Sequence, residues 1–278
     1  MGRWGFGLVD KLLRITFPGI EISHDSSRKP DLVVSSHFRQ DETLEFSCPY
    51  ITWSGEPYRV SKFKDLEPLC EINTFDCDES NAVYCPLLAQ DSKTVRCPQQ
   101  ASDKKYCCAY AFSNIIPTRE QLFNSMRKIE ATCYGFGNSC RTYDNPFDLP
   151  RANRFENSRA FKDFGLIVAL ENEQKSGYFT EKIGMAFESG SVPIYDSSNG
   201  IDRFINRESY FDVSAYADLG KAGEAAVHIW KDKQKLQRYL DAPVRVNKYL
   251  DQFEINNINE SRPWMKPFID ALSDHFNK

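Results

Sequence analysis

From Phe164 to Leu170 the chain carries only apolar residues and glycine, directly after Lys162 and Asp163. Such a run reads as a buried strand. A polar stretch follows, Glu171-Asn172-Glu173-Gln174-Lys175-Ser176-Gly177-Tyr178-Phe179-Thr180-Glu181-Lys182. Ile183, Ala186 and Phe187 then recur at helical spacing, and Gly190 marks a helix stop. Ser191 to Tyr195 reads as another short strand. Strand, polar loop, helix, strand is a parallel βαβ crossover. Its loop leaves the carboxyl end of a strand, where open α/β sheets bind ligands. Thr180 is placed to cap the helix, which puts Glu181 and Lys182 in its first turn. A lysine has the wrong sign for the positive end of a helix dipole. An anion beside it, such as a phosphate, would account for it.

The same patterning, followed from the start, predicts strands at Leu12–Phe17, Asp31–Ser36 and Tyr50–Trp53, the last ending in Ser54-Gly55-Glu56-Pro57. Residues 76–105 have little periodicity and read as loop and linker. Tyr106–Phe112 is a strand, and Thr118 to Gln121 has capping-box spacing after Pro117. Leu122, Met126 and Ile129 form a helical face, so Arg119 is a second cation at a helix start. Residues 132–160, with Arg141, Arg151, Arg154 and Arg159, read as a loop and then a short helix. Ser209–Val213 reads as a strand and 218–241 as one long amphipathic helix. Residues 262–276 read as a last helix with Trp264, Phe268, Leu272 and Phe276 on one stripe. The expected organisation is an α/β domain over 1–104, a second over 105–258, and a C-terminal helix over 259–278 that docks back on the first domain.

Composition narrows the function classes. A net charge of −4 and a pI near 5.7 create no field that would gather nucleic acid, so no nucleic-acid partner is expected. An anionic ligand must instead be held by a few local cations. Nine cysteines, without a CxxC pair, give no zinc pattern. Cys107 and Cys108 sit in an apolar run as small hydrophobes, whereas Cys70, Cys77, Cys85 and Cys97 could pair in an oxidising compartment. The odd count leans toward a reducing one. Met1 to Asp10 has neither a signal-peptide core nor a membrane span, and no stretch reaches 18 apolar residues. The expectation is a cytoplasmic protein or a soluble catalytic fragment.

The candidate chemistry converges on a nucleotide. Arg119 and Lys182, on two strand-to-helix loops of one domain, suit a pyrophosphate. Neighbouring glutamates suit ribose hydroxyls, and Tyr178 suits a sugar or base. There is no GxGxxG or P-loop. A nucleotide-sugar enzyme therefore fits better than a dehydrogenase or a kinase. Such an enzyme needs a base for its acceptor hydroxyl, and Glu56, after a strand of the other domain, is the candidate.

Glu171-Asn172, Tyr178-Phe179-Thr180-Glu181-Lys182, Gly190 to Tyr195 and Ser209-Tyr210-Phe211 resemble the donor-binding motif of glycosyltransferase family 10, the α-1,3/4-fucosyltransferases. Ser113-Asn114 with Pro117-Thr118-Arg119, Trp53-Ser54-Gly55-Glu56 and Asp31 to Ser35 extend the resemblance, which covers 30–240 and is strongest over 164–195. It implies a GT-B fold, two Rossmann-like domains with the active site in the cleft between them. The first would face the acceptor and the second would bind the nucleotide sugar. It implies inverting transfer of fucose from GDP-fucose to a hydroxyl of an acceptor oligosaccharide or glycoprotein glycan. Glu56 would be the catalytic base. Arg119, Glu171, Asn172, Tyr178, Thr180, Glu181 and Lys182 would bind the donor, with no cofactor and no metal. The turn Asp196–Gly200 and the short first domain depart from the family. Those departures keep a UDP-pentose donor such as UDP-xylose open on the same fold. A non-catalytic glycan- or nucleotide-binding protein is the alternative of a different class.

Overall fold

The computed structural model describes residues 6–23, 29–36, 48–60, 66–86, 88, 95–142, 160–253 and 261–276. The helices are α1 (Phe6–Thr16), α2 (Pro117–Ile129), α3 (Glu181–Glu188), α4 (Leu219–Lys231), α5 (Lys233–Asp241) and α6 (Lys266–Phe276). The strands are β1 (Val33–Ser36), β2 (Tyr50–Ser54), β3 (Cys70–Asn73), β4 (Ala82–Tyr84), β5 (Tyr106–Tyr110), β6 (Cys133–Gly135), β7 (Phe164–Val168), β8 (Val192–Tyr195) and β9 (Phe211–Asp212). The chain forms two compact units. One is Met1–Gln90 with Lys175–Phe179 and Tyr249–Lys278, and the other is Asp91–Gln174 with Thr180–Lys248. Each is an α/β unit on a parallel sheet, the Rossmann-like building block of GT-B proteins.

In the first unit the strands pair in chain order, β1-β2-β3-β4, all parallel. β2 and β3 are buried along their whole length, as strands covered on both faces are. β3 and β4 were not legible in the sequence, because both are short and β3 carries Glu71 and Asn73. Arg59 makes Glu71 tolerable there, donating from Nε to Oε2 at 2.8 Å and from the guanidinium to Oε1 at 2.5 Å. The expected strand at Leu12–Phe17 is instead the end of α1, which stops at Thr16, and the residue after it. Leu8, Val9, Leu12 and Leu13 are its buried face, a helical spacing that a short apolar run conceals. α6 lies against β3 and β4 and buries Phe268 and Leu272. Phe276 meets Phe17 edge-on at 5.7 Å.

The second sheet has the order β6-β5-β7-β8-β9, all parallel. β5 leads through α2 to β6 on one side, and β7 leads through α3 to β8 on the other. The strand order therefore reverses between the neighbours β5 and β7. Cys107, Cys108, Leu122, Phe123, Met126, Leu166, Val192 and Ile194 form the core. Each such apolar side chain contributes roughly 1.5–3 kcal/mol when fully buried. α3 stops as expected at Gly190, whose φ of +66° suits glycine. The amide of Gly190 bonds Phe187 O and that of Ser191 bonds Ala186 O, which is a Schellman end.

Several expectations change in this unit. Residues 218–241 break into α4 and α5 at Asp232, whose side chain accepts from Lys235 N at 3.1 Å and caps α5. The Ser209–Val213 strand shrinks to β9, because Asp212 turns to cap the following 3₁₀ turn. Cys133–Gly135, read as loop, is a strand. The short helix expected before 160 falls mostly on 143–159, outside the described residues. Residues 95–104, read as linker, are bonded within the second unit. Cys97 N donates to Phe187 O at 3.0 Å, Arg96 to Ser209 O at 2.5 Å, and Ala101 N to Gln237 Oε1 at 2.7 Å. None of the nine cysteines, all among the described residues, forms a disulfide. Among the described residues, no helix is long and apolar enough to cross a membrane.

Candidate functional site

Just beyond β7, Glu171 is buried and its carboxylate is surrounded by donors. Oε1 accepts from Thr180 N at 2.8 Å and from Tyr195 Oη at 3.1 Å. Oε2 accepts from Thr180 Oγ1 at 2.7 Å and from Lys182 Nζ at 3.0 Å. Thr180 is thus not a side-chain cap. Its hydroxyl turns to Glu171, and α3 begins without a side-chain cap. The lysine of unexpected sign has its partner inside the protein: the anion beside Lys182 is Glu171. An ammonium has three N–H donors. Glu171 and Thr180 Oγ1, the latter at 2.8 Å, take two of them. The Lys182 side chain stays 15% exposed, which leaves its third donor for a ligand. Glu181 is half-buried at the first helical position, where a carboxylate suits the dipole.

α2 also starts without a side-chain cap. Ile116 stands at the cap position and Pro117 follows, so the spacing of Thr118 to Gln121 is not a capping box. Arg119 is fully buried in the first turn. Its Nε donates to Leu170 O at 2.9 Å and its Nη2 to Asn172 Oδ1 at 2.7 Å. The guanidinium sits 3.9 Å from the centre of the Phe112 ring, a cation–π contact. Arg119 therefore ties the end of β7 to the start of α2. It leaves the Nδ2 of half-buried Asn172 as a donor. The two helix starts follow the neighbouring strands β5 and β7, on either side of the order reversal. First-turn amides have no partner within a helix, and such ends favour anions.

Glu56 and Tyr178 belong to the first unit. Past β2, Ser54 Oγ donates to Tyr58 O at 2.6 Å and accepts from Glu56 N at 3.3 Å. Lys175 Nζ donates to Pro57 O at 2.7 Å. These contacts fix the turn that carries Glu56. Tyr178, expected among the donor residues, is buried and donates to Glu56 Oε2 at 3.5 Å. It reaches Glu56 because residues 175–179 pack in the first unit. Ser176 Oγ bonds Asp76 Oδ2 at 2.6 Å, and Tyr84 Oη bonds Gly177 O at 2.8 Å. Gly177 has φ +78°, and a Cβ there would meet Asp76 at 2.7 Å.

The structure thus gathers Arg119, Glu171, Asn172, Thr180, Glu181 and Lys182 in the second unit, and Glu56 with Tyr178 in the first. The sequence reading missed Tyr195 and Asn199. The Tyr195 phenol is pushed well up by burial and then by Glu171, so it remains a protonated donor. Asn199 Nδ2 donates to Tyr195 Oη at 2.8 Å. Both lie at or just past the end of an apolar strand, a position whose burial only the fold reveals. Among the described residues, no group of three or more His, Cys, Asp or Glu could hold a metal ion.

The chain is similar in sequence and fold to known proteins. A putative fucosyltransferase of Acanthamoeba polyphaga mimivirus is 24% identical over 97% of this chain and 46% of its own length. The α-(1,3)-fucosyltransferase FucT of Helicobacter pylori is 21% identical over 91% of this chain and 45% of its own. The chain spans about half the length of these relatives. An α1,3-fucosyltransferase solved with GDP superposes with a TM-score of 0.66 at 15% identity, covering 98% of this chain and 88% of the other. One solved with GDP-fucose gives 0.59 at 13% identity, covering 94% and 96%. These neighbours share the GT-B fold. Residues 101–259, more than half of the chain, match the family described as glycosyltransferase family 10 (fucosyltransferase) C-term. By its sequence and its fold, the chain belongs to glycosyltransferase family 10.

Proposed function

We propose that the chain transfers fucose from GDP-fucose to a hydroxyl of an acceptor glycan, with inversion at the anomeric carbon. The observation that carries this reading is the pair of uncapped helix starts flanking the β5/β7 reversal, with Arg119 in one first turn and Lys182 in the other. Two helix ends and two cations match the two phosphates of a nucleoside diphosphate. The relatives named as fucosyltransferases, and the neighbours solved with GDP and GDP-fucose, support guanine and fucose as the donor's two ends.

In the proposed step an acceptor hydroxyl oxygen attacks C1 of the sugar. The bond from C1 to the β-phosphate oxygen breaks, and its electron pair leaves with GDP. The hydroxyl proton passes to Glu56, which Tyr178 orients. Charge that develops on the leaving oxygen meets the third N–H of Lys182, the helix amides and the field of Arg119. Glu181 binds ribose hydroxyls and Asn172 Nδ2 a phosphate oxygen. Glu171 and Thr180 hold Lys182 in place. Lys182 and Arg119, with the helix amides, supply the counter-charge, and the scheme includes no metal ion.

The test is release of nucleoside diphosphate from a panel of nucleotide sugars with acceptor glycans, beside a thermal-shift comparison of GDP with UDP. GDP at about 100-fold its dissociation constant should stabilise the protein by about 2.7 kcal/mol. A shift with UDP and none with GDP would sink the fucose reading. Tight glycan binding without release from any donor would sink transfer altogether.

A further inference from the structure

The turn Asp196–Gly200 is joined by hydrogen bonds to the first turn of α3. Asn199 is buried at 1% exposure; its Oδ1 accepts from Ile201 N at 3.3 Å and its Nδ2 donates to Tyr195 Oη. Tyr195, also buried, donates to Glu171 Oε1. The other oxygen of the same carboxylate holds Lys182 Nζ. We propose that Asn199 and Tyr195 are positioning residues for Lys182, which act through the Glu171 carboxylate to aim its remaining N–H at the donor's diphosphate. This rests on the donor reading above and adds residues that it does not contain.

The physical reason lies in the shape of an ammonium. Its three N–H bonds are tetrahedral, so two fixed acceptors determine where the third points. Those acceptors are Glu171 Oε2 and Thr180 Oγ1. Oε2 is fixed only if the carboxylate cannot rotate about its own axis. Rotation is opposed at Oε1 by Thr180 N and by the Tyr195 hydroxyl. Thr180 N is backbone and cannot vary with side-chain identity. Tyr195 is the side-chain lock, and Asn199 holds its hydroxyl from the far side. Burial makes each bond stiffer than it would be in water.

The experiment is calorimetric binding of GDP and of guanosine to wild type, Tyr195→Phe, Lys182→Met and the double variant. Guanosine lacks phosphates, so it reports on the base and ribose pockets alone. Tyr195→Phe should weaken GDP roughly tenfold and leave guanosine unchanged, and the GDP effect should disappear in the Lys182→Met background. Equal losses for GDP and guanosine, or an undiminished GDP loss in the Lys182→Met background, would overturn the relay as merely structural. Unchanged GDP binding by Tyr195→Phe would overturn it alone. A wild type that binds no GDP would overturn the donor reading and the relay with it. If thermal unfolding shows that Tyr195→Phe does not fold, Asn199→Ala takes its place with the same expected pattern. If Lys182→Met does not fold, the contrast between GDP and guanosine decides.

Discussion

The two sheets are both parallel, yet they differ in one topological respect. The first runs β1-β2-β3-β4 without reversal, and β3 connects to β4 by residues 74–81, which hold no regular element. The second reverses between β5 and β7, so its crossovers part to either side and two helices begin at neighbouring strand ends. A reversal leaves room at the carboxyl ends of the strands, and a monotonic order does not. The proposed donor site is therefore located by topology. The proposed base is located by a turn after β2, fixed by Ser54, Lys175 and Tyr178. One unit offers a general place for a diphosphate, and the other a single placed carboxylate.

The largest expected effect tests that division. Glu56→Gln should lower kcat by roughly 10²–10⁴-fold while GDP binding by calorimetry is unchanged. A parallel loss of GDP affinity would mean that the first unit also holds the nucleotide. Next, Lys182→Met should weaken GDP binding and also destabilise the second unit by about 3 kcal/mol in urea unfolding, because it strands the buried Glu171 carboxylate. A stability loss without a binding loss would make Lys182 a structural residue only. Third, Gly165→Ala in β7 should cost about 2 kcal/mol, since the added methyl would meet the Trp230 ring at 2.6 Å. If the units unfold in separate transitions, only that of the second should move.

The smallest effect is a pH dependence. Burial pushes the Lys104 ammonium down to about 8, against the opposing pull of Asp163, and its Nζ donates to Lys162 O at 2.6 Å. Below pH 8 both states are protonated, and the folded state carries the cost of a buried charge. Between about pH 8 and the usual lysine range near 10.5 the unfolded chain binds more protons, so stability rises with pH in that window. Lys104→Met should therefore have a higher Tm than wild type at pH 7, with the gap narrowing toward pH 10. A gap that widens with pH would refute this sign.

Legibility followed the local physics. The unit from β7 through α3 to β8 was readable because an apolar run, a helical spacing and a glycine stop are all local signals. α1 was misread because its buried face spans a run too short to separate a period of 3.6 from one of 2. β3 was invisible because Glu71 is tolerable only with Arg59, twelve residues away, and no window of sequence pairs them. Residues 95–104 looked like linker because their polar groups find partners ninety or more residues on, at Phe187, Ser209 and Gln237.

The sequence by itself determined the α/β class, the donor-like motif and the residue types at its centre, since these depend on spacing along one stretch. It also placed a cation in the first turn of two helices. The tertiary structure decided what those residues do. It turned Thr180 from a cap into a partner of Glu171, and it balanced Lys182 with an internal carboxylate. It buried Arg119 against Leu170 O and Asn172, and it moved Tyr178 to Glu56. A charged or hydroxyl group is satisfied by whichever partner is nearest in space, and in this chain most of those partners lie on other strands and loops.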